Sequence, residues 1–412
     1  MSDDPSPSRQ PEKLPFEFLL SPAFAADPYS AYAELRERGP VHPIDFPPGT
    51  TSFLVLDYEH GRAALSDPRL SKDPENAPEW YRAMLAQGDI PIGGNMLMAD
   101  APDHTRLRRV VSRAFTPRRV ESLRPRIQQI TDELIDAMRA KGSADLIEDF
   151  AFPLPIVVIC ELLGVPAENR ERFREWSRLL ITPAMTPEAI ARRSAAHRES
   201  RAYYAELVAE RRAEPRDDLV SALVSAAGED DGRLTEAELI STLGLLLIAG
   251  HETTVNLIAN GTLALLRNPD QLALLRERPD LMPAAVEEFL RYDSPVERST
   301  LRVALEDMEI AGTPIPAKSF VHVSLAAVHR DPAAFPDPDR LEIRREDNRH
   351  VAFGHGPHFC VGAPLARLEG QIAFTTLLDR LPGLALDCPP EALEWRVSGA
   401  VVRGLAALPV RF

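Results

Sequence analysis

Phe353-Gly-His-Gly-Pro-His-Phe-Cys-Val-Gly362 packs three glycines, two histidines and a thiol into ten residues of a 412-residue chain that has only three cysteines. The following residues, Val361 to Leu378, read as a helix with Pro364 tolerated in its first turn and apolar residues at 365, 368, 372 and 377. Cys360 therefore stands at a helix N-terminus, where the dipole and the free amides favour a thiolate. Gly354 and Gly356 permit a tight turn, so several backbone N–H groups can face the sulfur while the chain passes close to a flat ligand. A thiol buried only for packing needs none of this apparatus.

Other templates fit less well. A dinucleotide fingerprint requires a third glycine where Phe359 stands, and no βαβ pattern surrounds the loop. His251-Glu252-Thr-Thr-Val255 begins like the zincin motif but lacks its second histidine. Zinc on His355, His358 and Cys360 stays open as a minor reading, since the spacing is tight and no fourth ligand is evident. Cys360 lacks the surroundings of a papain-like or caspase-like nucleophile.

Composition narrows the class. Hydrophobic residues make up 44% and charged residues 26%, close to soluble globular averages, whereas 38 prolines point to many short, punctuated elements. A net charge of -15 argues against nucleic-acid or membrane-surface binding, which calls for clustered positive charge. The first residues carry neither a signal-peptide pattern nor a membrane span. Three widely spaced cysteines, Cys160, Cys360 and Cys388, do not suggest disulfides, so a cytoplasmic location is expected. Residues 1–14 read as a disordered lead and 15–412 as one domain.

Helical patterns dominate. Helices are expected at Pro28–Arg38, His60–Ser66, Thr105–Ala114, Val120–Ala140, Pro153–Leu163, Ala167–Leu180, Ala191–Glu214 and Asp217–Ala227. Val41–Phe46 and Ser52–Asp57 suggest a hairpin, and Leu301–Ala317 a small sheet, so the fold class is mainly α with a minor β region. The longest helix should open at the capping box Thr235-Glu-Ala-Glu238 and stop at Asn268-Pro269, a length of roughly 48 Å. Its centre, Leu243 to Gly250, is apolar all round, as a buried helix requires. His251, Glu252, Thr253 and Thr254 follow directly. A carboxylate there needs a partner, because an unpaired charge in an apolar medium is costly. A cation across the core and back-bonding threonines would satisfy them; small neighbours and polar groups facing open space suggest chemistry instead.

Here the residues resemble a family. Phe353, Gly356, Cys360 and Gly362 match the F-x-x-G-x-x-x-C-x-G signature of the cytochrome P-450 superfamily, the haem-thiolate monooxygenases. Glu288-Phe-Leu-Arg291 resembles its E-x-x-R motif, and Ala249-Gly-His-Glu-Thr-Thr254 its oxygen-activation motif, both in the family's order. The likeness runs from about Pro28 to the C-terminus. It implies a haem b lying between the long central helix and the helix after the cysteine, with Cys360 as the iron ligand. Further cofactor contacts implied are His104, Arg108, Ala249, Gly250, Arg302, Phe353, Gly354, His358 and Gly362. Glu252 and Thr253 become the acid and alcohol that manage protons during O2 activation, and Glu288 and Arg291 a structural pair. Arg330 to Asp339 looks like the family's proline-rich meander.

The resemblance is closest to soluble actinobacterial members that hydroxylate or epoxidise polyketides, macrolides, terpenoids or steroids. It implies a monomer served by ferredoxin and ferredoxin reductase, with NAD(P)H as the indirect electron source and no nucleic acid or membrane partner. Eight arginines between His104 and Arg126 (106, 108, 109, 113, 118, 119, 124 and 126), against the single acid Glu121, suit an acidic ferredoxin. Pro74–Met98 and Leu180–Met185 look like lids, and Leu180, Leu245, Arg298, Thr300 and Val401 are expected pocket residues. A haem-thiolate sensor or a peroxide-driven hydroxylase are the alternatives, and the retained acid-alcohol pair speaks against both.

Overall fold

The computed structural model describes residues 13–46, 50–87, 94–181, 186–227, 234–396 and 401–412. Its axis is the helix Glu236–Arg267, here the central helix. The Thr235 hydroxyl accepts from the Glu238 amide at 3.2 Å, and the Glu238 carboxylate accepts from the Thr235 amide at 2.7 Å, so the expected capping box is formed. Leu243, Leu247, Val255, Ile258 and Leu263 are buried, each contributing about 1.5–3 kcal/mol of transfer free energy as an upper figure. The helix is long and apolar enough to cross a membrane, yet 67% of its most apolar window is buried inside the protein. It packs on the helices Pro153–Leu163, Pro187–Ala213, Met282–Tyr292 and Ala363–Arg380, the last being the cysteine helix.

A five-stranded sheet flanks this helical body. Strands β1 (Val41–Ile44) and β2 (Ser52–Val55) form the expected antiparallel pair, with Val41 opposite Val55. With β3 (Leu70–Ser71), β4 (Ser143–Asp145), β5 (Arg302–Ala304), β6 (Met308–Ile310), β7 (Thr313–Ile315) and β8 (Phe320–Val323) counted along the chain, the sheet order is β1-β2-β8-β5-β3. Strands β6 and β7 make a separate hairpin whose turn, Ala311-Gly312, has positive φ at both residues. Strand β5 carries Arg302 to the edge of the site.

The E-x-x-R pair is a buried hub. The Arg291 Nε and Nη2 atoms each lie 2.8 Å from a carboxylate oxygen of Glu288, and both residues are fully buried. Arg291 also donates to the carbonyls of His329, Pro338 and Arg340, while Glu288 accepts from Arg345 and Asn348. One ion pair thus ties the helix Met282–Tyr292 to the meander.

Several boundaries differ from the sequence reading. Val120–Ala140 is two helices, Pro117–Ser122 and Arg124–Arg139, because Pro125 lacks an amide hydrogen and can only sit in a first turn. The helix expected from Ala191 starts at Pro187, where the Thr186 hydroxyl accepts from the Ala189 amide. Pro74–Met98 is not simply a loop: it holds a 3₁₀ turn, Pro74–Asn76, and a helix, Glu79–Gln87, with 88–93 outside the described residues. Leu180 and Ile181 end the helix Arg170–Ile181, and 182–185 lie outside the described residues. Lys13 and Leu14, expected in the lead, already belong to the fold: Lys13 pairs with Asp45 at 2.7 Å and Leu14 bridges to Ile44. The rest of that lead, 1–12, falls outside the described residues.

Candidate active site

The cysteine loop is built by its own backbone. The Gly354 amide donates to the Val351 carbonyl and the Cys360 amide to the Phe353 carbonyl, both at 2.8 Å. Gly354 and Gly356 have φ of 76° and 74°, and a Cβ at Gly356 would lie 2.7 Å from the Ser66 Cβ, so neither sterics nor backbone allow a larger residue there. The cysteine helix begins at Ala363. Cys360 as a residue is exposed, but its sulfur is densely surrounded by chain atoms. That desolvation pushes the thiol up, while the amides of Gly362 and Ala363 and the guanidiniums of Arg108 and Arg367 act the other way.

Both arginines are fixed. Arg108 donates to the Phe359 carbonyl at 2.6 Å. Arg367 lies over the Phe353 ring at 4.6 Å and pairs with Glu287 at 2.7 Å. Burial would raise the Glu287 carboxyl, yet hydrogen bonds from Arg367 and His350 hold it at about 2. His355, His358 and Cys360 do not form a metal cluster, and no group of three or more His, Cys, Asp or Glu side chains that could hold one occurs among the described residues.

Beside the loop lies a cradle of cations and donors. The His104 and His358 rings stand 4.2 Å apart, and the buried His104 Nε2 has no partner among the described residues. Burial, then the charges of His104, Lys72, Arg302 and Arg108, push His358 down to about 3. Burial likewise lowers Arg302 to about 10 against the pull of Asp100. Lys72 was not singled out from the sequence; its Nζ donates to the Thr300 hydroxyl at 2.5 Å and the Leu301 carbonyl at 2.8 Å, and burial drives it well below the ordinary lysine range. Asp100, the carboxylate acting on His104, Lys72 and Arg302, is occupied by Ser71 and the Lys72 amide. So many buried basic groups, pushed toward their neutral forms around one committed acid, call for an anionic partner that would restore their charge. The carboxylates of a haem next to a thiolate ligand fit this donor set.

The other wall belongs to a cavity of about 1290 Å³ lined by Leu97, Met98, Ile248, Ala249, Val296 and Val402 among others. Leu180, Leu245, Thr300 and Val401 all lie on its wall. Arg298 does not: its side chain is buried 3.5 Å from Glu297, which accepts from Tyr32 at 2.8 Å. The expected pocket role is corrected accordingly, since the carboxylate draws the guanidinium away from the open space. A Cβ on Gly250 would meet Ile159 Cδ1 at 3.0 Å, so the glycine lets the central helix approach Pro153–Leu163 closely.

Thr253 and Glu252 both line the cavity. The Thr253 hydroxyl gives its proton to the Ala249 carbonyl at 3.0 Å, which leaves its lone pairs free to accept. Glu252 meets Arg396 at 2.9 Å, and the same guanidinium nitrogen donates to the Asn256 side chain at 2.9 Å. Arg396 comes from the C-terminal region, its amide fixed on the Gly404 carbonyl. Nothing local in the sequence marked it.

The basic run is largely spent within the fold. Arg106 pairs with Glu238, Arg119 with Asp217, Arg124 with Glu121 and Arg126 with Glu161. Arg109 and Arg118 are exposed and have no partner among the described residues.

A thiolate donor at a helix N-terminus, an anion cradle beside it and an acid-alcohol pair in an apolar cavity define a haem-thiolate oxygenase site. Comparison with known proteins agrees: residues 10–395 match the family model for Cytochrome P450, and the chain belongs to that family as a monooxygenase. It is 50% identical over 395 residues to the cytochrome P450 monooxygenase PikC of Streptomyces venezuelae, covering 95% of this chain and 93% of PikC. Identity to 6-deoxyerythronolide B hydroxylase of Saccharopolyspora erythraea is 46%, covering 95% and 98%. The solved structure of CxnD, a cytochrome P450 for C–S bond formation in chuangxinmycin biosynthesis, superposes with a TM-score of 0.92 at 47% identity and covers 98% of each chain.

Proposed function

We propose that this monooxygenase hydroxylates or epoxidises a medium-to-large, mostly apolar molecule of the polyketide, macrolide, terpenoid or steroid kind. The cavity above Ala249 and Thr253 carries this reading, because its wall includes Leu97, Met98, Leu245, Ile248, Val296 and Val401, an aliphatic surface suited to an apolar ligand. Cys360 would ligate the iron of a haem b, and His104, Arg302, His358 and Lys72, with Arg108 alongside, would hold it; the group would supply the iron chemistry that cleaves O2. Electrons arrive from NAD(P)H through a reductase and a ferredoxin.

The chain's own residues govern protons and water. The free lone pairs of Thr253 accept a hydrogen bond at the cavity floor, and Glu252 moves protons from the solvent side toward it. Arg396 and Asn256 fix where the Glu252 carboxylate points. The aliphatic wall keeps bulk water from the reacting atoms. A sensor would need no such relay, which favours turnover.

Thr253→Ala should keep binding substrate but lose one hydrogen bond of about 1.4 kcal/mol, so product per NAD(P)H falls roughly tenfold and peroxide rises. Unchanged coupling would remove Thr253 from this role. Arg396→Gln, which releases the Glu252 carboxylate, should lower coupling several-fold and alter the solvent isotope effect while leaving ligand affinity within about twofold. Arg396→Lys should restore part of the coupling.

Ferredoxin docking has its own test. Arg109→Glu with Arg118→Glu should slow reduction by an acidic ferredoxin about tenfold at low salt, and the gap should close as salt rises past a Debye length of ~8 Å. Equal rates at low salt would place the docking face elsewhere.

A further inference from the structure

His251 heads the polar stretch of the central helix, yet it is not one of the residues that line the cavity. Its side chain is fully buried. The ring Nδ1 lies 3.1 Å from the Leu247 carbonyl, which can only accept, so that nitrogen carries the hydrogen. Burial pushes the imidazole down from its ordinary range, which keeps it neutral and leaves Nε2 as a bare acceptor. The Ser177 hydroxyl, 3.0 Å away and itself fully buried, donates to that acceptor.

Serine, histidine and glutamate do not make a nucleophilic triad here. In a triad the carboxylate holds Nδ1 while the hydroxyl meets Nε2. Here Nδ1 belongs to Leu247, Glu252 approaches Nε2 itself to 3.9 Å, and Ser177 is closed off from any ligand. The arrangement instead decides where Glu252 can turn. A neutral ring whose Nε2 has no hydrogen offers the carboxylate no donor, so Glu252 keeps to Arg396 at 2.9 Å. A proton on Nε2 would place a buried cation within reach of Glu252 and hold the acid in an ion pair.

The hydroxyl comes from the helix Arg170–Ile181, which also supplies Arg174, Arg178 and Leu180 to the cavity wall. One imidazole therefore joins that wall to the acid. The charged groups facing the ring are Glu252 and Arg396. Beyond the Phe152 ring, edge-on to His251 at 5.5 Å, stands Arg174, which is paired with Glu148.

We infer that His251 and Ser177 are positioning residues for Glu252: the serine hydroxyl occupies the bare ring nitrogen, the ring gives the carboxylate nothing to bind, and the acid stays turned to Arg396 and the cavity. The inference rests on the relay role proposed above for Glu252. It makes the seating of the helix Arg170–Ile181 a condition for proton delivery.

The test uses haem-loaded full-length protein labelled with heavy nitrogen at histidine, reduced and bound to carbon monoxide so that it is diamagnetic. Nitrogen NMR then reads the ring directly, with His251→Gln to assign it. The wild type should show a neutral ring with its hydrogen on Nδ1 from about pH 8 down to about pH 6. Ser177→Ala strands Nε2 without a donor, so the ring should take up a proton at least about one pH unit higher than in the wild type. Ser177→Thr, which keeps the hydroxyl, should behave as the wild type does. Adding Glu252→Gln to Ser177→Ala should return the ring to neutral, because the carboxylate that holds the cation is gone. In ferredoxin-driven O2 consumption without added substrate, Ser177→Ala should be several-fold slower with a larger solvent isotope effect, its thiolate-type carbon monoxide band unchanged.

A wild-type ring with its hydrogen on Nε2, a Ser177→Ala ring that titrates as in the wild type, or a Ser177→Ala isotope effect equal to wild type where Glu252→Gln changes it would each overturn the inference. A ring that responds as stated while Glu252→Gln leaves the isotope effect unchanged would strike the relay reading of Glu252 instead.

Discussion

Arg291→Ala is expected to give little folded, haem-loaded protein. The side chain is fully buried and donates to Glu288 and to the carbonyls of His329, Pro338 and Arg340. Removing one partner of a buried ion pair costs about 3–5 kcal/mol, because the other charge stays buried. Each carbonyl stranded in the meander adds about 1–3 kcal/mol of lost hydrogen bonding. Against a total stability of about 5–15 kcal/mol this is most of the margin. Arg345, 3.2 Å from Glu288 and 3.3 Å from the Arg340 carbonyl, offsets part of the stranded charge, but the His329 and Pro338 carbonyls lose the donor that Arg291 gave them. Arg291→Lys should fail nearly as badly, since an ammonium cannot spread a planar fork over Glu288 and three carbonyls. Thermal melts and haem content of purified protein decide it: a drop of at least about 10 °C is expected, and a melt within about 2 °C of wild type would refute the role.

Cys360→Ser should do the reverse, keeping the fold and abolishing the chemistry. The residue is exposed at a loop end, and its amide donates to the Phe353 carbonyl whatever the side chain. Exchanging sulfur for oxygen there should move stability by less than about 1 kcal/mol. The thiol is already pushed up by its surroundings and is held by the Gly362 and Ala363 amides and by Arg108 and Arg367. Those groups can stabilise a thiolate, but a serine hydroxyl is far too weak an acid to ionise in the same place. Product formation should fall by about 10³ or more, an effect of at least ~4 kcal/mol on the barrier. A variant retaining even a tenth of the wild-type rate would mean that Cys360 is not the iron ligand.

What the sequence made legible was local. The cysteine loop, the E-x-x-R pair and the acid-alcohol pair each lie within about one or two helical turns, so backbone geometry fixes their spacing and one stretch carries the whole signal. The capping box of the central helix is legible for the same reason. Long-range partners are not. Lys72 is an unremarkable lysine until β3 and β5 bring it beside Thr300 and Arg302. Arg396 lies 144 positions after Glu252, and only the folded C-terminal segment makes them a pair. Charge runs mislead in the same way: the acids that neutralise Arg106, Arg119 and Arg126 come from Glu238, Asp217 and Glu161 in other elements. The packing of Gly250 against Ile159, on the helix Pro153–Leu163, is a long-range contact of the same kind, invisible in the motif Ala249 to Thr254 itself. The start at Pro187 could have been read, since Thr186-Pro187 is a cap followed by a first-turn proline.

The central claim is that Cys360 presents a thiolate to haem iron in a cradle made by His104, Arg302, His358 and Lys72. The carbon monoxide difference spectrum of the reduced, haem-loaded protein tests it most directly. The wild type should give the strongly red-shifted band of a thiolate-ligated haem, and Cys360→Ser should bind carbon monoxide without it; a wild type whose band lies at the unshifted position of an imidazole-ligated haem would contradict the account.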